Sequence, residues 1–336
     1  MKYKINFINS SYRRFFKQHR KEIMGAFEKC ASKGDFMLRD ETRKFERNLA
    51  KYTGVKYAVG VNSCTDAMFL SLKALDIGPG DEVITVAHTF IATIQAIVHT
   101  GATPVLIDVG TDELMDVWSL EEKITPKTKA ILPVHFHGKI CNMKEIMRIA
   151  KEHKLYVVED AAQALGSSQN GKMAGSFGDT SCFSFNFPKL MGAYGDAGAV
   201  VTNNEELYKK LLLLRNHWNI TQGSVRQKDY PQPEIMDWGW KSRIDNIQAA
   251  ILNIKFKYLK GILKRRKEIA EKYYQSLIPF FPKKIYFNNF REGEFPQEYV
   301  IHIYGRDKFK KFMNKRGIEL LIRDSVPNHK LKGLQL

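Results

Sequence analysis

Short apolar runs alternate with amphipathic stretches between residues 57 and 202 of this chain. The runs have the length of buried strands, and the stretches between them have helical spacing. This alternation is typical of a mainly parallel sheet, because the helix that connects two parallel strands covers a face of the sheet. The predicted strands are 57–61, 83–86, 104–109, 130–135, 155–159, 180–185 and 198–201. The predicted helices are 65–75, 91–99, 120–124 and 143–152, the third with a capping box of Ser119 and Glu122.

The pattern changes after Trp218. A polar connection, a long helix and a region of short strands are predicted at 219–238, about 244–275 and 285–322, the last around a basic helix at 308–315. We therefore predict an α/β protein with two domains. A large α/β domain spans 1–238, and a smaller α+β domain spans 239–336.

The chain carries a strong positive charge. Its 336 residues include 53 Lys+Arg against 36 Asp+Glu, which gives a formal net charge of +17. Nucleic acid, an anionic membrane surface and an anionic small substrate all fit such a field. The basic residues spread along predicted helices without the interleaved aromatic residues that stack on bases, so we do not predict nucleic-acid binding.

Neither membrane insertion nor secretion is predicted. No apolar run reaches the roughly 20 residues that a membrane helix needs. The basic start of the chain lacks the apolar segment of a signal peptide. The cysteines are scattered and form no CxxC pair, which favours a reduced, cytoplasmic protein. They are Cys30, Cys64, Cys141 and Cys182.

Ligands of parallel sheets bind beyond the carboxyl ends of the strands, so the turns that follow the apolar runs are the candidate sites. In the first of these turns, Ser63, Thr65 and Asp66 stand at the predicted start of a helix. Free amides and a hydroxyl at a helix start can bind a phosphate. For this turn alone, an ordinary N-cap is the simpler explanation of the same residues.

Three charged residues stand at other turns. Asp160 ends an apolar run beside alanines, where its carboxylate needs a cationic or hydrogen-bonding partner, and a helix N-cap is the alternative. Lys189 lies among apolar residues and before glycines. Such a setting lowers the pKa of an amine and favours a Schiff-base lysine over a surface lysine. Arg243 suits either bidentate anion recognition or an ion pair.

Two further patterns resemble known sites without satisfying them. Residues 166–173 nearly match a P-loop, but Met173 stands where a serine or threonine must meet magnesium, so a hairpin turn is predicted. His135 and His137 share a strand face with Cys141 nearby, but no fourth zinc ligand is placed. No metal site is therefore predicted.

Together, the turns resemble the DegT/DnrJ/StrS family of pyridoxal-phosphate-dependent sugar aminotransferases, over nearly the whole chain and in the family's order. The motifs are Ser63-Cys64-Thr65-Asp66-Ala67, Thr89-Phe90-Ile91-Ala92-Thr93, Gly101-Ala102-Thr103-Pro104, Pro133-Val134-His135, Glu159-Asp160-Ala161-Ala162-Gln163-Ala164, Ser184-Phe185 with Lys189, and Ser242-Arg243 with Gln248-Ala249-Ala250. Each motif is weak alone, but all of them in register are hard to obtain by chance. The resemblance implies fold type I of the pyridoxal-phosphate transferases, with a mixed, mostly parallel seven-stranded sheet covered by helices.

The resemblance also implies a role for each turn. Lys189 would bond covalently to the cofactor, pyridoxal 5′-phosphate, and move the proton during transfer. Asp160 would keep the ring nitrogen protonated. His217 and Arg243 would bind substrate. The amides of Thr65 and Asp66 and the hydroxyl of Ser184 would bind the phosphate. Phe90 would stack on the ring, and Gln163 would face the ring hydroxyl. Lys241 is the remaining cofactor-binding residue that the resemblance implies.

The implied reaction transfers an amino group from glutamate to the keto carbon of a nucleotide-linked keto-deoxy sugar, for the biosynthesis of cell-surface polysaccharides or glycoconjugates. The diphosphate of such a substrate is an anion, which the positive charge of the chain would attract. Residues 192–196 and 242–245 resemble relatives that act on 3-keto sugars, so we favour C3 over C4. The family implies a homodimer whose sites are completed by the neighbouring chain, through residues 239–243.

This chain departs from the family pattern at three positions. Cys64 replaces a glycine and would be strained if its φ were positive. Lys241 replaces an asparagine that faces the partner's phosphate, and Arg39 replaces another glycine. We also expect a small domain shortened at its C-terminus, since the chain ends soon after His329. The alternatives are a 4-keto-sugar aminotransferase and an inactive or regulatory homologue; a family dehydratase would have histidine in place of Lys189.

Overall fold

The computed structural model describes residues 3–4, 9–218, 237–323 and 326–332. The strands are β1 (Tyr57–Val61), β2 (Glu82–Val86), β3 (Thr103–Ile107), β4 (Thr128–Ile131), β5 (Tyr156–Asp160), β6 (Ser168–Gln169), β7 (Lys172–Met173), β8 (Thr180–Ser184), β9 (Gly198–Thr202), β10 (Ile285–Tyr286) and β11 (His302–Ile303). The helices are α1 (Asn9–Lys33), α2 (Asp40–Thr53), α3 (Cys64–Ala74), α4 (Ile91–Thr100), α5 (Met143–Glu152), α6 (Glu205–Leu214), α7 (Asn246–Leu277) and α8 (Arg306–Lys315).

Seven of the strands form one sheet in the order β1-β9-β8-β5-β4-β2-β3. The pairs from β8 to β3 are parallel, whereas β9 is antiparallel to both of its neighbours. Val59 on β1, Val158 on β5 and Val200 on β9 have no exposed surface, because helices cover both faces of the sheet. The predicted mixed, mostly parallel seven-stranded sheet is confirmed.

Most predicted elements of this region agree with the structure to within two residues at each end. The exception among the strands is 130–135, since β4 ends at Ile131. Pro133 has no amide to donate to a ladder, and the chain rejoins the sheet only through a single bridge between Val134 and Asp160. Two backbone hydrogen bonds hold the segment beside β5 at this bridge: the Asp160 amide donates to the Pro133 carbonyl oxygen at 2.9 Å, and the His135 amide donates to the Asp160 carbonyl oxygen at 3.0 Å.

The predicted helix at 120–124 is wrong. Residues Glu121–Lys123 form only a short 3-10 turn, because so short a segment cannot offset the cost of nucleating an α-helix. The predicted capping box of Ser119 with Glu122 is also wrong. Ser119 Oγ instead donates a hydrogen bond to the Asp116 carbonyl oxygen at 3.1 Å.

The long helix predicted at about 244–275 is confirmed as α7, and its first half belongs to the same core as α2. Ala249 and Leu252 pack in one buried cluster with Phe45, Leu49 and Phe185. The short strands and basic helix expected near the C-terminus are β10, β11 and α8, and the predicted hairpin is β6 with β7. Residues 219–236 of the predicted connection lie outside the described residues, and the predicted domain boundary stays a prediction.

The described helices include none that could cross a membrane. Even α7, with 32 residues, lacks the continuous apolar character that a bilayer requires, and the same holds for every other helix in the described ranges.

Strand β9 lies directly against the start of α3 because residue 198 is glycine. A Cβ placed on Gly198 would lie 2.3 Å from the carbonyl carbon of Ser63, which is far closer than any two such atoms approach. The absence of a side chain therefore lets the first turn of α3 sit beside the carboxyl ends of the central strands.

Candidate active site

Strand β5 ends at Asp160, whose carboxylate is buried and fixed by two hydrogen bonds. Thr93 Oγ1 donates to Asp160 Oδ2 at 2.8 Å, and the Ala162 amide donates to Asp160 Oδ1 at 3.1 Å. Residues 161–167 form turns rather than a helix, so the alternative of a helix N-cap is wrong. The carboxylate is oriented at the edge of the sheet where ligands of this fold class bind.

The neighbouring Glu159 is a second buried carboxylate, but its oxygen atoms are already occupied. It accepts hydrogen bonds from His135 Nε2 at 2.9 Å and from Ser181 Oγ at 2.6 Å. Three backbone amides between residues 175 and 178 donate to it as well. The other ring nitrogen of His135 accepts a backbone amide. Glu159 and His135 thus anchor loops, and Asp160 is the carboxylate left for a ligand.

Lys189 lies half-buried in the segment that follows β8. Burial lowers the pKa of its amine, while the nearby carboxylates of Asp160 and Glu298 act in the opposite direction. Within the described ranges, no group forms a hydrogen bond or an ion pair with Lys189 Nζ. Lys189 is therefore not an ordinary surface lysine. A buried amine of lowered pKa without a bonding partner has the properties of a nucleophilic lysine.

The burial of Lys189 should make the stability of the fold depend on pH. Its pKa in the folded chain lies below the 10.5 of an ordinary lysine, so between these values the unfolded chain binds more protons than the folded chain. The free energy of unfolding of the wild type, minus that of Lys189→Met, should therefore increase as the pH rises toward 10.5. Denaturant unfolding of both cofactor-free proteins from about pH 7 to about pH 10 measures this difference; a decrease would contradict the prediction.

The segment that carries Lys189 is held by side chains from distant parts of the chain. The Tyr12 hydroxyl donates to the Lys189 carbonyl oxygen at 3.1 Å. Gln297 binds the backbone on both sides of Lys189, accepting from one amide at 2.8 Å and donating to one carbonyl oxygen at 3.2 Å. Gly192 allows the turn to close, since a Cβ there would lie 2.4 Å from a carbonyl oxygen of the same turn.

The predicted phosphate turn forms the start of α3. Ser63 is the N-cap, and its Oγ accepts from the Asp66 amide at 3.1 Å. Because the first amides of a helix have no partner within it, the amides of Cys64 and Thr65 remain for an anion, whereas that of Asp66 is engaged. The Asp66 carboxylate accepts from Ser242 Oγ at 2.6 Å. Cys64 has a negative φ, so the strain considered for this position is absent from the first turn of α3.

Three further predicted residues lie at or after the carboxyl ends of β5, β2 and β8. Gln163 is buried, and its Oε1 accepts from the His137 amide at 2.9 Å, so Nε2 is the group it can offer to a ligand. Phe90 precedes α4 and is 54% exposed, which leaves a ring face for stacking. Ser184 ends β8 and is half-buried. The sheet therefore brings these side chains to the edge where Asp160 lies.

The remaining predicted residues lie on one short strip of paired backbone. Asn216 forms a bridge with Lys241, and its Oδ1 accepts from Arg243 Nη1 at 3.2 Å. His217 and Lys241 are exposed, and Arg243 is partly buried beside a neutral amide rather than a carboxylate. Ser242 connects the strip to the phosphate turn through its hydrogen bond with α3. The strip therefore adjoins the first turn of α3.

Glu298 is a charged residue near the centre that the sequence did not indicate. Its carboxylate accepts from Arg323 Nη1 at 3.0 Å and lies 3.5 Å from His137 Nδ1. Burial alone would raise the pKa of Glu298, but His137 and Arg323 lower it. No local pattern could have revealed this residue, because its partners come from other parts of the chain. Thr93, in contrast, could have been found from the sequence. It belongs to the same motif as Phe90, and its hydroxyl lies at helical spacing from that residue.

Comparisons with known proteins find relatives over most of this chain. Residues 17–332 match the model of the DegT/DnrJ/EryC1/StrS aminotransferase family. A dTDP-3-amino-3,6-dideoxy-alpha-D-galactopyranose transaminase of Aneurinibacillus thermoaerophilus is 41% identical over 319 residues, which cover 94% of this chain and 84% of the relative. A UDP-N-acetyl-3-dehydro-alpha-D-glucosamine 3-aminotransferase of Acidithiobacillus ferrooxidans is 39% identical over 329 residues, covering 95% and 84%.

Two solved structures have the same fold. DesV of S. venezuelae in complex with a ketimine intermediate has a TM-score of 0.89 at 34% identity, covering 97% of this chain and 85% of DesV. NtdA of Bacillus subtilis with the bound cofactor PMP has a TM-score of 0.87 at 31% identity, covering 98% and 75%. The architecture is that of the fold-type I transferases, and the chain belongs to the DegT/DnrJ/EryC1/StrS aminotransferase family.

Proposed function

We propose that this chain is a pyridoxal 5′-phosphate-dependent enzyme that transfers the amino group of glutamate to C3 of a nucleotide-linked keto-deoxy sugar. The observation that carries the proposal is the unbonded, half-buried amine of Lys189 near the oriented carboxylate of Asp160. A reactive amine and a fixed carboxylate at one edge of the sheet are the two groups that this cofactor requires of a protein.

The residues at this edge fit the cofactor group by group. Asp160, oriented by Thr93, is suited to the pyridine nitrogen, and Lys189 is suited to the aldehyde carbon. The Thr65 amide at the first turn of α3 is suited to the phosphate, and Gln163 Nε2 is suited to the ring hydroxyl. The other residues proposed to hold the cofactor are Asp66, Phe90, Ser184 and Lys241.

The side chains of this protein would carry out the proton transfers. When bound, pyridoxal 5′-phosphate supplies an electron sink. Because burial lowers its pKa, Lys189 has a larger neutral fraction at neutral pH than an ordinary lysine, and can accept and return a proton. Asp160 would hold a proton on the ring nitrogen, since its two oxygens are fixed in direction by Thr93 and the Ala162 amide.

The choice of substrate rests on the two relatives and on the cationic strip. Both relatives are named for amination at C3 of a nucleotide-linked sugar. Lys241 and Arg243 lie on the strip that Ser242 connects to the phosphate turn. Two cations at this place suit the diphosphate of such a substrate.

Incubation of the cofactor-loaded protein with glutamate and a panel of nucleotide-linked 3-keto and 4-keto sugars is expected to yield a 3-amino sugar. Because the keto carbon must reach Lys189, we expect a preference for the 3-keto sugar of at least about 100-fold. Mass spectrometry detects the amine, and NMR locates the carbon that bears it. Reactions without glutamate are the control for the donor. An amine at C4 would support a 4-aminotransferase, and no turnover with cofactor bound would support an inactive or regulatory homologue.

We infer further that the protein acts as a cytoplasmic homodimer in the biosynthesis of lipopolysaccharide or other cell-surface glycans. The exposed position of Lys241 supports a shared site, because an exposed cation can reach the phosphate of a second copy. The four buried cysteines are free, in accord with a reducing compartment. No role for nucleic acid is part of the proposal.

A further inference from the structure

Helix α7 buries a lysine that has no acidic partner among the described residues. Lys255 is 5% exposed, and within the described ranges no carboxylate lies at ion-pair distance from its Nζ. Burying an unpaired ammonium is costly. The proposed mechanism does not use this residue, so its burial needs an explanation.

Three aromatic rings enclose the ammonium of Lys255. Its Nζ lies 5.0 Å from the ring centre of Tyr12, 5.2 Å from that of Phe15 and 5.0 Å from that of Tyr194. Ring faces attract a cation and offset part of the cost of burial. Burial nevertheless lowers the pKa of Lys255 to about 8, so the amine is mostly charged at neutral pH.

The same ammonium binds the segment that carries Lys189. It donates to the carbonyl oxygen of Gly192, in the turn that follows Lys189. Tyr12 donates to the Lys189 carbonyl oxygen itself. Gln248 in turn fixes Tyr194. Gln248 Oε1 accepts from the Tyr194 amide at 2.8 Å, and Gln248 Nε2 donates to the Tyr194 carbonyl oxygen at 3.2 Å. Helix α1, helix α7 and the Lys189 segment therefore meet at one cation.

We propose that Lys255 is a positioning residue for Lys189: its enclosed ammonium joins α1 and α7 to residues 187–194 and fixes the direction in which the Lys189 amine points. The inference rests on the proposed function in taking Lys189 as the reactive amine. A charged donor forms a stronger hydrogen bond than a neutral one. Because no carboxylate in the described part of the chain lies at ion-pair distance from this ammonium, its charge acts on the backbone of the Lys189 turn.

Lys255→Met tests this role, because methionine preserves most of the apolar volume but removes both the charge and the donor. In the cofactor-free protein, hydrogen–deuterium exchange at residues 190–194 is expected to quicken by about tenfold or more, with a similar change in α1. Lys257→Met is the matched control. Lys257 is an exposed lysine of the same helix that also joins α7 to α1, through Glu22 at 2.7 Å, but it lies apart from the Lys189 turn.

The cofactor-loaded enzyme provides a second readout. Lys255→Met is expected to lower kcat by about tenfold while KM for both substrates changes by less than about twofold, since substrate contacts are untouched. Lys255→Arg retains the cation and should recover part of kcat. Phe15→Leu removes one of the three rings and keeps Lys255 itself. This variant should show smaller changes of the same kind, namely faster exchange at residues 190–194 and a lower kcat. It serves as the test if Lys255→Met does not fold.

Two outcomes would overturn the positioning role. One is wild-type exchange at residues 190–194 in the folded Lys255→Met or Phe15→Leu protein. The other is an equal increase in Lys257→Met, which would indicate a general loosening of α1. Because exchange is measured without cofactor, it is independent of the chemistry of Lys189. Failure of the proposed function would appear separately, as a Lys189→Ala protein that still bonds to the cofactor.

Discussion

Lys189→Ala is expected to lower turnover by at least about a thousandfold, because the variant loses both the nucleophile and the group that moves the proton. Asp160 and Glu298 are the carboxylates that most affect the pKa of Lys189, and neither can replace an amine in these roles. The fold should persist, since the side chain forms no hydrogen bond with any described residue that its removal would break.

Borohydride reduction of the loaded protein, followed by peptide mass spectrometry, measures the loss of the nucleophile directly. The wild type should carry the cofactor on residue 189, and the variant should carry none at any lysine. Lys172→Ala is a suitable control, because this lysine is exposed on β7 and contacts only the Phe177 ring among the aromatic residues described. Turnover retained by Lys189→Ala would refute the assignment of the reactive lysine.

Asp160→Asn should have the second largest effect, a loss in kcat of about 10² to 10⁴-fold. Asparagine is nearly isosteric, and its oxygen can still accept from the Ala162 amide or from Thr93 Oγ1. The fold should therefore change little, while the neutral amide can no longer hold a proton on the cofactor's ring nitrogen. Steady-state kinetics at saturating cofactor measure the loss.

Asp179→Asn provides the matched control for this second variant. Asp179 is a half-buried carboxylate just before β8, and its Oδ2 accepts from the Val157 amide near the opposite end of β5. We expect the control to lose stability without a comparable loss in kcat. Thr93→Val, which removes a donor to Asp160, should fall between the two, by about tenfold. Wild-type kcat in Asp160→Asn would exclude Asp160 as the partner of the ring nitrogen.

The strand ends account for most of what could be predicted of the site. Parallel strands present their carboxyl ends at one edge of a sheet. Because Asp160, Ser184 and Thr65 each stand near the end of an apolar run, the sequence predicts that they lie at the same edge. The apolar neighbours of Lys189 likewise predicted its burial, which the structure confirms. The roles of these residues came from the resemblance to the family, since neither Gln163 nor the residues of the other turns indicate a cofactor by themselves.

The contacts that hold Lys189 were beyond such reasoning. Tyr12, Lys255 and Gln297 lie far from Lys189 along the chain, and each is unremarkable in its own neighbourhood. They meet only when α1 packs on α7 and the C-terminal region folds back on the sheet. The wrong helix at 120–124 has the converse cause, because its local spacing was helical but the segment was too short to nucleate.

Gly198 limits how this sequence can diverge over evolutionary time. Any side chain at this position would overlap the backbone of Ser63 and displace the first turn of α3. Purifying selection should therefore act on residue 198 as strictly as on Lys189, although the glycine performs no chemistry. In lineages that lose the activity but keep the fold, we expect the lysine to drift first and the glycine to persist.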